Sequence, residues 1–259
     1  MSEKSISKMM NMYCAPLFLQ NAFLAEGHNA ESVNATATFV RRKGHLYIVT
    51  CRHVKEHMAK NESWSANIHG NRVLIPLNTW SEAGAVSTLQ DIDDLGGTDI
   101  CISYFSEYHL ELVSGSKPKK PINLDKYLEP NWKDINLCCA VGFPDKEKSE
   151  IETNVASSMI EVTAELVSPI NPKNPMFALQ SKLPQPSRYG FSGISGGPIF
   201  CVENDRLMPI GITFEGAPSG RPIASSGDSF LQPEDIMVRG YTLTPEIFDE
   251  WLYSAGLTD

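Results

Sequence analysis

The most informative part of the chain is Gly190-Phe191-Ser192-Gly193-Ile194-Ser195-Gly196-Gly197-Pro198-Ile199-Phe200. A serine in a tight glycine turn presents its hydroxyl free of neighbouring side chains, and the glycines let backbone N–H groups converge on a developing oxyanion. A glycine-rich surface turn is the alternative interpretation. The string Gly-x-Ser-Gly-Gly-Pro rarely arises by chance, which argues against it. The segment therefore predicts that Ser195 is a catalytic serine.

A catalytic serine needs a base, and the base needs a group that orients it. Of the six histidines, His53 alone closes an apolar strand, which runs from Leu46 to Val54. Asp99 stands at the mouth of the apolar run Ile100-Cys101-Ile102, where an unpaired charge would be costly and a buried partner is implied. Each residue alone is more typical of a structural position, so their significance depends on Ser195.

Short β-type runs dominate the rest of the chain. Residues 36–54 have a hairpin pattern, in which Arg41-Arg42-Lys43-Gly44 separates two apolar runs. Further runs of this type, with glycine and proline between them, cover 73–77, 100–105, 137–143, 159–167, 198–202 and 208–214. This spacing predicts a β-sandwich or β-barrel.

Two segments punctuate this β pattern. The polar, proline-containing stretch Ser114–Pro121 is the best candidate for a linker between two β units. Thr244-Pro245-Glu246 has the signals of a helix N-terminus, and Ile247, Phe248, Trp251 and Leu252 then fall on one helical face. A short C-terminal helix that packs on the body is therefore predicted.

Composition narrows the function classes. The chain has 22 basic and 31 acidic residues and a net charge of −9, which argues against a general nucleic-acid binder. It has no apolar run long enough to span a membrane, and the apolar stretch 9–25 is too interrupted for a signal peptide. Four of the six cysteines lie in apolar strand-like runs, and no Cys-x-x-Cys pair occurs, so we expect buried thiols in a reducing compartment and no ribbon-type zinc site.

Together these segments resemble the chymotrypsin/trypsin-like serine peptidase family over most of the chain. The order His53, Asp99, Ser195 is the family's order. The contexts also match: Val49-Thr50-Cys51-Arg52-His53-Val54 is similar to the Thr-Ala-x-His segment, and Thr98-Asp99-Ile100-Cys101-Ile102 to the Asp-Ile-Ala-Leu strand. Gly193 to Pro198 resembles the nucleophile loop, and Pro209 to Gly216 the strand that lines the primary specificity pocket.

The resemblance implies an all-β fold of two antiparallel β-barrels with a short C-terminal helix. The expected organisation is a single peptidase domain over 1–259, with an N-terminal barrel at 14–113, a linker at 114–132, a C-terminal barrel at 133–243 and the helix at 244–256.

The resemblance also implies the roles of the site residues. Ser195 would be the nucleophile, His53 the general base and then acid, and Asp99 the group that orients His53. The N–H groups of Gly193 and Ser195 would form the oxyanion hole, and the substrate would lie against Tyr189, Phe214, Glu215 and Gly216. The expected activity is peptide-bond hydrolysis through an acyl-enzyme, with a protein or peptide substrate and without metal or organic cofactor.

Several departures from the family pattern qualify this expectation. Ile194 replaces the aspartate that pairs with a freed N-terminus in zymogens, and Val54, Phe191 and Gly220 stand where secreted members have cysteines. These differences indicate an intracellular bacterial branch, located in the cytoplasm and without zymogen activation. We expect restraint by narrow specificity or by an activating partner, as in stress or defence pathways, and no membrane or nucleic-acid partner.

Two other functions stay open. Phe214 stands where a serine usually supports the triad aspartate, which favours a catalytically silent fold that acts as a protein-binding module. His53-Val54-Lys55-Glu56-His57 matches the inverted zinc-peptidase motif H-x-x-E-H, a less discriminating pattern without a matched third-ligand segment. The acidic run from Asp91 to Asp94 resembles a calcium loop, but Ile102 occupies the position of its bidentate acid, and an acidic surface loop is expected.

Overall fold

The structure is a computed structural model of the chain. It describes residues 3–20, 34–60, 65–68, 73–83, 98–114, 117–151, 154–167, 170–171, 175–182, 191–218 and 235–258. Within these ranges no helix is long and apolar enough to cross a membrane.

The N-terminal unit is an eight-stranded sheet. Its main path is β5-β4-β1-β2-β3-β7-β6, and β8 pairs with β2 off that path. The central hairpin forms as the sequence predicts, with a turn in which Lys43 (φ 51°) and Gly44 (φ 76°) both adopt left-handed backbone. The strands are β1 Cys14–Gln20, β2 Asn34–Arg42, β3 His45–Thr50, β4 Ser65–Ile68, β5 Val73–Pro76, β6 Ser81–Glu82, β7 Cys101–Tyr104 and β8 Ile122–Asn123.

The C-terminal unit is a closed six-stranded antiparallel barrel in the order β12-β13-β16-β15-β14-β9. Closure gives each of these six strands a paired neighbour on both sides. Its strands are β9 Leu137–Gly142, β12 Ile160–Leu166, β13 Met176–Lys182, β14 Pro198–Glu203, β15 Arg206–Pro218 and β16 Asp235–Thr242, while β10 Lys148–Ile151 and β11 Asn154–Ser157 form a separate ribbon. The predicted all-β class is confirmed.

Within the described ranges, four α-helices accompany the sheets: α1 Glu3–Met10, α2 Arg52–Lys60, α3 Glu107–Ser114 and α4 Pro245–Ser254. Helix α4 begins as the sequence predicts, because Thr244 accepts a hydrogen bond from the N–H of Ile247 and Pro245 occupies the first turn. Its buried face consists of Ile247, Phe248, Trp251 and Leu252, as expected.

An apolar core joins the two units. One cluster of buried side chains draws Tyr47 and Ile100 from the N-terminal sheet, Phe200 and Tyr241 from the barrel, and Trp251 from α4. Burial of large aromatic and aliphatic side chains of this kind contributes roughly 1.5–3 kcal/mol per residue. The cluster therefore fixes the position of the His53 and Asp99 segments relative to the Ser195 loop.

Polar contacts reinforce the same interface. Arg42 at the end of β2 donates two hydrogen bonds to Asp249 of α4, at 2.8 and 2.7 Å. Lys119 donates to Asn11 and to the carbonyl of Cys14, which ties the N-terminal segment to the chain between the units. Burial lowers the pKa of Lys119.

All six cysteines are free, as the apolar contexts predict. Five are buried, and Cys139 is half-buried. Burial raises the pKa of each thiol, to about 12 at Cys101 and Cys138 and about 11 at Cys201. The thiol form therefore predominates at neutral pH, as expected for small buried side chains.

Candidate active site

His53 and Asp99 form a hydrogen-bonded pair. His53 is the second residue of α2, directly after β3, and Asp99 precedes β7, which pairs with β3. The ring Nδ1 of His53 lies 2.6 Å from Oδ2 of Asp99, and the backbone N–H of His53 donates to Oδ1 at 2.8 Å. Two bonds to one carboxylate fix both the position and the orientation of the ring.

The barrel supports Asp99 through Tyr241. The Tyr241 hydroxyl accepts the backbone N–H of Asp99 at 3.0 Å. Phe214, which replaces the serine of the family pattern, stacks on Tyr241 with ring centroids 4.4 Å apart. Burial raises the pKa of Tyr241 to about 12, so its phenol stays protonated at neutral pH. Tyr241 thus supports the backbone of Asp99, and Phe214 packs against the ring of Tyr241.

The loop of Ser195 is held by two buried threonines of β2. Thr36 donates its N–H to the carbonyl of Ser195 at 3.0 Å and its hydroxyl to the carbonyl of Gly193 at 2.8 Å. Thr38 donates its hydroxyl to the carbonyl of Gly196 at 2.6 Å. Because β2 pairs with β3, these bonds bring the serine loop to the sheet that carries His53.

Gly196 packs directly against the N-terminal sheet. Its φ is +87°, and a Cβ there would lie 2.1 Å from the carbonyl oxygen of Thr36 and 2.6 Å from the hydroxyl of Thr50. Only glycine fits such a position without strain. Thr50 ends the strand that leads to His53, so the Ser195 loop packs against the end of that strand.

The Ser195 hydroxyl has a partner of its own. Its Oγ donates to the carbonyl oxygen of Phe214 at 3.3 Å. Phe214 lies on β15, in the strand segment predicted to contact substrate. The serine side chain therefore contacts the strand that is predicted to bind substrate.

Two backbone donors of the loop are available. Within the described residues, no acceptor takes the N–H of Gly193 or of Ser195. The carbonyls that precede them are pinned, since Ser192 O accepts from the N–H of Asp145 at 2.8 Å and Ile194 O from Gly197 at 2.9 Å. In a trans peptide the N–H points opposite to the preceding carbonyl, so both donors are held in fixed directions. An oxyanion hole requires backbone donors with fixed directions of this kind.

Of the four residues predicted to contact substrate, the structure describes Phe214, Glu215 and Gly216. Tyr189 lies outside the described residues. Glu215 is exposed and forms an ion pair with Arg239 of β16 at 3.4 Å. Gly216 packs closely, because a Cβ there would lie 2.6 Å from the Cδ1 atom of Ile194 and 3.1 Å from the Cβ atom of Phe191. Ile194 and Phe191 therefore fill the space beside Gly216.

The residues of the zinc-peptidase motif H-x-x-E-H, His53 to His57, lie on helix α2. Glu56 and His57 are exposed on α2, a nine-residue helix that begins at Arg52. Among the described residues, the metal-ligating atoms within 4.8 Å of one another belong to Cys51, His53 and Asp99. Burial raises the pKa of the Cys51 thiol well above its usual value, which disfavours a thiolate ligand. The calcium-like run 91–94 lies outside the described residues.

Sequence reasoning missed three supporting residues: Thr36, Asp145 and Tyr241. Each contacts a partner far along the chain, 107 residues away for the Thr36 hydroxyl and the N–H of Phe143, and 142 for Tyr241 and Asp99. Their local contexts are an ordinary strand, a turn and a buried aromatic. No local pattern marks such contacts, because they join residues that are distant in the sequence and meet only in the folded chain.

Comparison with known proteins adds the following. No family model and no curated protein matches the chain. One similar solved structure is a thermostable serine protease from an extremophilic microorganism, with 10% identity, a TM-score of 0.48, and coverage of 96% of this chain and 100% of that chain. Another is the protease Anisep from Arthrobacter nicotinovorans, with 10% identity, a TM-score of 0.49, and coverage of 95% and 96%. The chain itself has a closed β-barrel beside a second β sheet, the all-β class that a resemblance to trypsin-like serine peptidases implies.

Proposed function

We propose that the chain is a serine endopeptidase that hydrolyses peptide bonds through an acyl-enzyme. The observation that carries this proposal is the 2.6 Å contact between His53 Nδ1 and Asp99 Oδ2, formed where the Ser195 loop docks on the N-terminal sheet. An ionised carboxylate at Nδ1 keeps the proton on that nitrogen and leaves Nε2 as a proton acceptor.

The reaction follows from these positions. The Ser195 oxygen attacks the carbonyl carbon of the scissile peptide, and its proton passes to Nε2 of His53. The N–H groups of Gly193 and Ser195 receive the oxyanion. His53 returns the proton to the leaving amine, and a water molecule then hydrolyses the acyl-enzyme by the same route.

The contact between Ser195 and Phe214 supports a restrained enzyme. In the resting chain the Ser195 hydroxyl donates to the carbonyl of Phe214, a residue of the strand that the family resemblance assigns to substrate binding. A peptide N–H that takes this carbonyl frees the hydroxyl to turn toward His53. The proposal therefore includes narrow specificity or an activating protein partner. We also propose a cytoplasmic enzyme of a bacterial stress or defence pathway, which the free cysteines and the Ile194 position support.

Covalent labelling tests the proposal. We expect the purified protein to gain one fluorophosphonate adduct by intact mass, and Ser195→Ala and His53→Ala to gain none. Ser254→Ala is the matched control, since Ser254 also donates to a backbone carbonyl but lies on α4. An adduct that survives Ser195→Ala would contradict the assigned nucleophile.

A binding module is the second candidate function. It is favoured by one observation, the engagement of the Ser195 hydroxyl with Phe214. It predicts a folded parent without an adduct, both in purified form and in cell lysate. Labelling that appears in lysate alone would instead indicate an enzyme that needs its partner.

A further inference from the structure

Asp145 contacts the nucleophile loop through both its backbone and its side chain. It begins the 3₁₀ turn Asp145–Glu147, three residues after β9 ends. Its N–H donates to the carbonyl of Ser192 at 2.8 Å, and its Oδ2 accepts the Ser192 hydroxyl at 2.6 Å. Its Oδ1 accepts the N–H of Asn34, the first residue of β2, at 3.2 Å. The residue thus bridges the barrel, the N-terminal sheet and the loop.

The bond from the Asp145 N–H to the Ser192 carbonyl sets the direction of the Gly193 N–H, and the bond from the Ser192 hydroxyl to the Asp145 carboxylate holds the same residue in place. Because the peptide between Ser192 and Gly193 is trans, a carbonyl held toward Asp145 turns the N–H the other way. Gly193 adopts φ +99° and packs tightly, and a Cβ there would lie 2.6 Å from the carbonyl oxygen of Phe143. Rotation of this peptide would break the Asp145 bonds and free the donor to turn away.

The loop has no acid at the position next to the serine. Ile194 stands there, 2% exposed, and packs against Gly142 and Gly216. Among the described residues, Asp145 is the acid whose carboxylate bonds to this loop. A carboxylate acceptor forms stronger hydrogen bonds than a neutral one.

We propose that Asp145 is a positioning residue, which clamps the Ser192 peptide so that the Gly193 N–H points into the oxyanion hole before substrate arrives. This role rests on the proposed function, since an oxyanion forms only if Ser195 attacks a carbonyl. The carboxylate of Asp145 lies beside the loop, whereas the acid of the family's zymogens stands within it, at the position of Ile194. The clamp forms without N-terminal cleavage.

The rate of fluorophosphonate labelling tests the clamp. Asp145→Ala retains the backbone N–H but loses both side-chain acceptors, so we expect the maximal labelling rate to fall about tenfold, with the reagent affinity unchanged and the final stoichiometry complete. Asp145→Asn keeps an acceptor and is expected to label within about threefold of the parent. Glu147→Ala, an exposed acid in the same turn, is the control. A parent-like rate for Asp145→Ala would overturn the proposal.

A second measurement separates this proposal from the proposed function. Amide hydrogen exchange over 191–197 reports opening of the loop whether or not the protein labels, because the N–H groups of Ile194, Gly196 and Gly197 are hydrogen-bonded. We expect exchange there to be about tenfold faster in Asp145→Ala than in Glu147→Ala. Unchanged exchange would refute the clamp, whereas a parent that never labels would refute the peptidase alone.

Discussion

The hydroxyl of Tyr241, on the last strand of the C-terminal barrel, accepts the backbone N–H of Asp99 at 3.0 Å. The bond crosses the interface between the two units. It anchors the residue that orients His53 to the unit that carries Ser195. Alignment of the candidate triad therefore depends directly on how the units dock.

Tyr241→Phe tests this anchor. The substitution keeps the ring that stacks on Phe214 and removes the acceptor of the Asp99 N–H. We expect the free energy of unfolding to fall by about 1–2 kcal/mol, and the labelling rate to fall about tenfold because the His53 ring is held less accurately. Urea unfolding and intact-mass kinetics provide the measurements. Tyr253→Phe, on the exposed face of α4, is the control, and equal behaviour of the two variants would contradict the role.

Asp99→Asn tests the orientation of His53. An amide N–H would donate to Nδ1, and this moves the ring proton to Nε2, where the base must accept one. We expect labelling of Ser195 to slow by roughly 10³ to 10⁴. Asp134→Asn, an exposed acid shortly before β9, is the matched control and should label at the parent rate. Slowing of less than about threefold would show that the pair is structural.

Gly196→Ala tests the docking of the serine loop. The added Cβ would lie 2.1 Å from the Thr36 carbonyl, so the loop and β2 cannot keep their present contact. We expect a loss of about 4 kcal/mol or more. Gly44→Ala is the control, because Gly44 has a similar φ of +76° with no atom within 4 Å of its Cβ, and only the backbone cost of about 1 kcal/mol remains. Thermal unfolding compares the two variants, and equal losses would refute the steric argument.

The sequence predicted the parts of the molecule whose cause is local. The hairpin of β2 and β3 follows from two apolar runs around the turn at Lys43 and Gly44, and α4 follows from its Thr244 cap and apolar face. The order His53, Asp99, Ser195 was visible because each residue stands in a distinctive context.

The remainder could not be predicted because its cause is tertiary. Strand β1, Cys14–Gln20, lies in the apolar stretch 9–25, whose interruptions argue against a signal peptide and do not indicate a strand. It becomes a strand by pairing with β2 and β4. The role of Tyr241 depends on a contact across 142 residues. Helix α2 is the exception, since the buried Val54 and Met58 have helical spacing that could have indicated its length.

The bond between Arg42 and Asp249 predicts how stability depends on pH. The hydrogen bond from Arg42 holds the pKa of Asp249 below its usual value of 3.8. The folded state therefore binds fewer protons than the unfolded state. Above pH 3.8 the pair contributes its full share of the folding stability, and this share is lost as the pH falls through the lower pKa of Asp249 in the folded state. We expect Asp249→Asn to lower the free energy of unfolding at pH 7 by about 1 kcal/mol and to flatten its decline in acid.

Urea titrations at pH 7 and at several values below 3.8 measure both effects. Glu250→Gln, on the neighbouring exposed position, is the control, and parallel acid profiles for Asp249→Asn and the parent would show that the pair adds nothing to the docking of α4.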